Sequence, residues 1–116
     1  LKKAWVDKKM NIDIKNLEFI DKKLREICLF AEEETRINFT VTSIFRMNDD
    51  GVHGTLPVRG IDLGCRNEEI GTAVENLVND NYIYDPKRPH KDCAMYHDNG
   101  NGPHIHLQVH PNTIKA

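Results

Sequence analysis

At 116 residues the chain has room for one domain with a modest core. Its 16 basic and 18 acidic side chains are interspersed and leave a net charge of −2, so no basic stripe is present and nucleic acid is not an expected partner. No apolar run approaches the length of a membrane span, and the first residues lack the charged-then-apolar layout of a signal peptide. The chain opens on Leu1, which leaves room for an upstream targeting segment.

Residues 1–14 are charged and mixed, with Trp5, Val6, Ile12 and Ile14 as the side chains expected to reach the body, Trp5 as a packing anchor. From about Asn16 to Thr35, Leu17, Ile20, Leu24, Ile27, Cys28 and Ala31 recur at threes and fours. That period predicts an amphipathic helix with Asn16 as its cap and Glu32-Glu33-Glu34 on a solvated face. Asn38 to Arg46 alternates and is rich in β-branched and aromatic residues, which predicts a strand. Its expected faces are Phe39, Val41, Ser43 and Phe45 against Thr40, Thr42, Ile44 and Arg46, with the threonines and Arg46 on the side of a cleft.

A loop, Met47 to Pro57, carries His53. Arg59 to Cys65 reads as a short strand with Ile61 and Leu63 inward and Asp62 the other way. Asn67 to Asp80 reads as a second helix with Ile70, Ala73, Val74, Leu77 and Val78 in one stripe. Tyr82 to His90 is a connection containing proline. In and just after it, Arg88, His90 and Lys91 are read as a solvated basic stretch, with capture of a terminal carboxylate as the other option. Asp92 to His97 is a third strand, and Asp98-Asn99-Gly100-Asn101-Gly102 is a strong turn signal leading into a fourth. Cys28, Cys65 and Cys93 are odd in number and contain no Cys-x-x-Cys, which argues against a disulfide framework or zinc knuckle. They are expected as small buried hydrophobes in a chain made in a reducing compartment.

The last strand carries the densest chemistry. In Pro103-His104-Ile105-His106-Leu107-Gln108-Val109-His110 the polar residues all fall on one face and the apolar ones on the other. Imidazoles at i and i+2 then point the same way, within reach of one metal ion or one substrate. An exposed polar strand is the plainer alternative. Further metal-type ligands stand at His53 and at Asp62, and an aspartate in mid-strand is costly without a cationic partner. Two histidines and a carboxylate would meet the demand of catalytic zinc for three protein ligands and an open position.

The series Thr42-Ser43-Ile44-Phe45-Arg46, His53, Arg59-Gly60-Ile61-Asp62-Leu63 and His104-Ile105-His106 resembles the zinc peptidases of the D-alanyl-D-alanine carboxypeptidase type. That superfamily includes lysostaphin-like endopeptidases and the hedgehog signalling domain. The likeness runs from about residue 38 to 110. It implies a single α+β domain over residues 1–116, with a small antiparallel sheet of about four strands, two helices on one face and a zinc cleft on the other. It also implies Zn2+ as cofactor, held by His53, Asp62 and His106. His104 would be a catalytic or oxyanion-stabilising group, and Arg46 would stabilise the developing anion or hold substrate.

The implied activity is hydrolysis of peptide bonds, with D-amino-acid-containing peptidoglycan peptides as the expected substrate, at the cell wall or from a phage particle. Two departures stand out. The loop from His53 to Asp62 is longer by two residues, within Thr55-Leu56-Pro57. The acidic base that many carboxypeptidase-type members carry three residues before the last ligand is missing, since Asn101 stands there if that ligand is His104 and Pro103 if it is His106. The base is then His104, or Asp98 or His97 from the turn, or catalysis has been lost. The alternative function is therefore a catalytically silent zinc-binding structural or interaction domain of the same fold. A third option is a metal-free domain with surface histidines.

Overall fold

The computed structural model describes residues 19–44, 51, 56–98, 100 and 102–116. Trp5, Val6, Ile12, Ile14, Asn16 and Leu17 lie outside them. Helix α1 spans Lys22–Thr35 and is capped by Asp21, whose side chain accepts a hydrogen bond from Lys23 N at 2.8 Å. The helix begins later than the apolar period suggests. Ile20 forms a parallel bridge with Val58, and Asp21 N donates to Val58 O at 2.9 Å, so the backbone there is committed to pairing and cannot start a helix. At its other end Arg36 adopts the left-handed conformation, with φ 58°, and its N–H returns to Glu32 O.

Strands β1 (Thr40–Ser43), β2 (Gly60–Gly64), β4 (Ala94–Asp98) and β5 (Pro103–Gln108) form an antiparallel sheet in the order β1-β2-β5-β4. Helix α2 (Glu68–Asn81) starts at Asn67, whose side chain accepts from Ile70 N at 3.0 Å. A ribbon of β3 (Tyr82–Ile83) and β6 (Ile114–Lys115) lies apart from the main sheet. The domain is thus α+β, and among the described residues no helix is long and apolar enough to cross a membrane.

The core lies on one face of the sheet. Ile61 pairs with Leu107 and Leu63 with Ile105, and these four pack with Leu24, Ile27 and Ala31 of α1 and Val74 and Val78 of α2. All are essentially water-free, and each buried aliphatic side chain contributes about 1.5–3 kcal/mol. The α2 stripe differs from its sequence period: Ala73 is exposed and Gly71 is buried. Gly71 lies against the ring of Tyr96 on β4, where a side chain would overlap the ring. Cys28, Cys65 and Cys93 are buried free thiols, as their spacing suggests. Helix α2 also covers the outer margin of β4. Asn79 Oδ1 accepts from Ala94 N at 3.0 Å, Asn79 Nδ2 donates to Ala94 O at 2.9 Å, and Glu75 Oε2 accepts from Tyr96 N at 2.7 Å.

Two expectations about faces are corrected. In β1, Val41 pairs with Leu63 but Ser43 pairs with Asp62, so a bulge at Thr42 interrupts the alternation. Val41 and Ile44 therefore both pack on the core, while Ser43 turns to the opposite side with Asp62. The final strand also stops at Gln108. His110 turns away with Pro111, its N–H donating to Thr113 Oγ1 at 2.8 Å, and its ring lies by Tyr84 and Asp85, outside the polar face.

Candidate functional site

Cross-strand register builds the polar face of the sheet in rows. Residues directly opposite in an antiparallel pair share a face. One row reads Thr40, Gly64, His104, His97, and the next reads Ser43, Asp62, His106, Met95. The alternation that seats Ile105 and Leu107 in the core delivers both imidazoles and the carboxylate here. A cleft of about 820 Å³ opens over this face, and its lining includes Thr40, Thr42, Ser43, Asp62, Arg66 and His104.

On this face Asp62, 5 % exposed, meets His106 across the β2–β5 pair, with Oδ1 2.8 Å from Nδ1. The other nitrogen of His106, Nε2, lies 3.1 Å from Gln108 Oε1. Gln108 is oriented in turn by its amide nitrogen, which donates to Asp92 O at 2.9 Å. A backbone carbonyl only accepts, so the amide oxygen must face the ring and Nε2 must donate to it. That leaves Nδ1 as the nitrogen turned to an acceptor-only carboxylate. Two lone-pair atoms at that distance need a cation between or beside them, either a proton or a metal. Gln108 was placed on this face by its alternation with the histidines, but its task as the partner of the ring had no sequence signal.

His104 is oriented by the backbone two residues before it. Its Nδ1 lies 3.1 Å from Gly102 O, so Nδ1–H donates there and Nε2 is left as the acceptor. The His97 ring stands beside it, with centroids 4.5 Å apart, and is 6.5 Å from His106. Partial burial holds the His97 pKa below its ordinary value, and the neighbouring His104 and His106 add to this against the pull of Asp62 and Asp98. Asp98, another base considered from sequence, is occupied in the turn. Its Oδ1 accepts from Gly100 N at 2.9 Å and Gly102 N at 3.1 Å. By alternation it lies opposite to His97 on the strand.

Of the five site residues expected from sequence, Asp62, His104 and His106 come together. Arg46 and His53 lie outside the described residues. Among the described residues no three His, Cys, Asp or Glu side chains form a complete metal-holding group. The basic loop has another use for its arginine: Arg88 Nε donates to Asp85 Oδ2 at 2.9 Å, and its guanidinium lies over the Tyr84 ring. Arg66, which lines the cleft just beyond β2, carried no sequence signal. No family model, curated protein or solved structure matches this chain.

Proposed function

We propose that the chain is a zinc-dependent peptidase acting on short peptides, with D-amino-acid-containing cell-wall peptides as the expected class. One observation carries this reading: Asp62 Oδ1 faces His106 Nδ1 while the other ring N–H is tied to Gln108. Metal-binding histidines commonly have this arrangement, in which a carbonyl-type acceptor fixes the tautomer and leaves the second nitrogen for the ion. The pair offers one oxygen and one nitrogen donor, the donor types catalytic zinc takes, and His53 from the loop ahead of β2 would be the third ligand. When bound, zinc in such a set supplies a Lewis acid and brings the acidity of water toward neutral pH.

The chain's own groups account for the remaining chemistry. His104, with Nδ1 on Gly102 O, would use Nε2 as the proton acceptor, later returning the proton to the leaving amine. His97 stands within ring contact of His104 and supports the same role. Arg46 is assigned to the developing anion, where a fixed cation lowers the barrier. The polypeptide backbone of the substrate would lie along the hydroxyl wall of Thr40, Thr42 and Ser43.

A catalytically silent zinc-binding domain is the second reading. It is favoured by the cleft's described lining, in which Asp62 is the sole carboxylate and no second one serves as base. Metal analysis of purified protein, followed by incubation with muropeptides, separates the two. A peptidase holds about one zinc per chain and releases new amines. Asp62→Asn and His106→Ala should lose the metal, whereas His104→Ala should keep it and lose turnover. Full zinc occupancy with no cleavage in the wild type would select the silent domain, and absence of any removable metal would sink both.

A further inference from the structure

The turn after β5 holds a histidine that the cleft does not use. His110 opens this turn, and Thr113 N closes it by donating to His110 O at 2.9 Å. Inside it, Asn112 N donates to His110 Nδ1 at 3.0 Å. A ring nitrogen accepts a hydrogen bond only while it carries no proton, so the contact belongs to the neutral imidazole with its proton on Nε2. Protonation turns Nδ1 into a donor facing the Asn112 N–H, and two donors cannot share that contact. The ring is partly exposed, so protons reach it.

Among the described residues, the charged groups that approach the ring come from the 84–88 loop and from α1. Asp85 Oδ2 lies 3.9 Å from Nδ1, beyond hydrogen-bond reach, and already accepts from Arg88 Nε. Asp85 Oδ1 takes Lys87 N and Asn112 Nδ2. The carboxylate is thus filled by other donors, and Arg88 offsets its pull on a charged ring. From α1, Lys23 Nζ donates to Pro111 O at 2.6 Å and adds a positive charge beside the turn. Tyr84 supplies an aromatic face, with ring centroids 5.6 Å apart. A protonated His110 therefore loses one bond and finds no replacement in place.

The turn is a junction, so that loss spreads. Thr113 Oγ1 accepts from His110 N and donates to Tyr84 O, both at 2.8 Å. The next residues, Ile114 and Lys115, pair with Ile83 and Tyr82. One short turn joins the end of β5, the start of α1, the 84–88 loop and the β3–β6 ribbon.

We infer that His110 is a pH-operated latch on this turn, closed by Asn112 N while the imidazole is neutral and released when it is protonated. The bond is present above the pH at which the ring takes up its proton and is lost below it. Imidazoles as a class change charge between about pH 5 and 8, which sets the working window. The latch operates whether or not the cleft cuts peptides.

Heteronuclear NMR of the full chain across that window tests it. At the alkaline end the ring couplings should place the His110 proton on Nε2. The Asn112 amide should there exchange about two- to tenfold more slowly than an unprotected amide, the worth of one neutral hydrogen bond. That protection should disappear with the same midpoint as the ring titration, and the Thr113 and Ile114 amide resonances should move with it. His110→Asn, whose side chain does not titrate, should show no such step at any pH. A proton on Nδ1 at the alkaline end, a ring that stays in one charge state throughout, or an Asn112 amide indifferent to the titration overturns the latch. So does a step of equal size in His110→Asn, which would place the sensing group elsewhere. The wild-type measurements decide the question by themselves if the variant fails to fold.

Discussion

Gln108 Oε1 lies 3.1 Å from His106 Nε2, two residues back along the same strand face, and the Asp92 carbonyl fixes which end of the amide is presented. The ring is thereby held with Nε2 on the amide oxygen and Nδ1 turned to Asp62. Gln108→Leu should leave the fold intact and weaken zinc binding by about 10–100-fold, the usual cost of losing such a partner. Gln108→Glu, which keeps an acceptor for the ring but loses the donor to Asp92 O, should fall between wild type and Gln108→Leu. Competition with a chromogenic chelator measures both, and equal affinity in wild type and Gln108→Leu would show that something else orients the ring.

The contact between α2 and β4 makes a stability prediction independent of function. Gly71 lies under the Tyr96 ring, whose hydroxyl donates to Cys65 O at 3.0 Å and so resists displacement. Gly71→Ala should cost about 1–3 kcal/mol, the range for overpacking, despite alanine's better helix propensity. Urea denaturation reads the loss directly. A more stable alanine variant would mean that the ring swings aside freely.

Asp85 predicts an acid-sensitive loop. The Lys87 N–H is the largest cause holding its carboxyl below the usual range, with Arg88 and Asn112 adding and burial opposing. A carboxylate depressed in the folded state contributes stability that is present above its unfolded pKa, near 4, and is lost as pH falls through the folded value. The stability gap between wild type and Asp85→Asn should therefore be widest near neutral pH and close below about pH 4. Chemical denaturation across pH 2–7 checks the sign; a gap that widens on acidification would contradict it.

The thiols should be silent in the native protein. Burial pushes Cys28 to about 12, helped by Glu32, and Cys93 to about 11, with Asp92 adding and Thr113 opposing. Since the thiolate is the reactive form, a disulfide reagent at neutral pH should label neither until the chain is unfolded in denaturant. Rapid labelling of Cys28 in folded protein would show that α1 opens locally.

Much of this architecture is legible in the residues. The last strand is plain because alternation at period two survives from Pro103 to Gln108, and Ile105 and Leu107, with Val109 just beyond, all reach the core. That same period brought Asp62, His104 and His106 to one side, because both strands pair without a slip. What was not legible depends on partners far along the chain. Asp21 is no better a cap than Asn16 by type; the bridge of Ile20 to Val58 decides between them. The two-residue ribbon of Tyr82–Ile83 with Ile114–Lys115 is too short to leave a period. Nor does sequence announce a glycine such as Gly71 as a core position, since it has no side chain to count.

The bulge at Thr42 has a consequence for how this segment tolerates change. It places Thr42 and Ser43 in succession along the cleft and returns Ile44 to the interior. The bulge thus holds one residue more than the pairing needs. A chain shortened by that residue would straighten and keep Ser43 opposite Asp62, so its cost would be confined to one hydroxyl of the cleft wall and the bend that carries it.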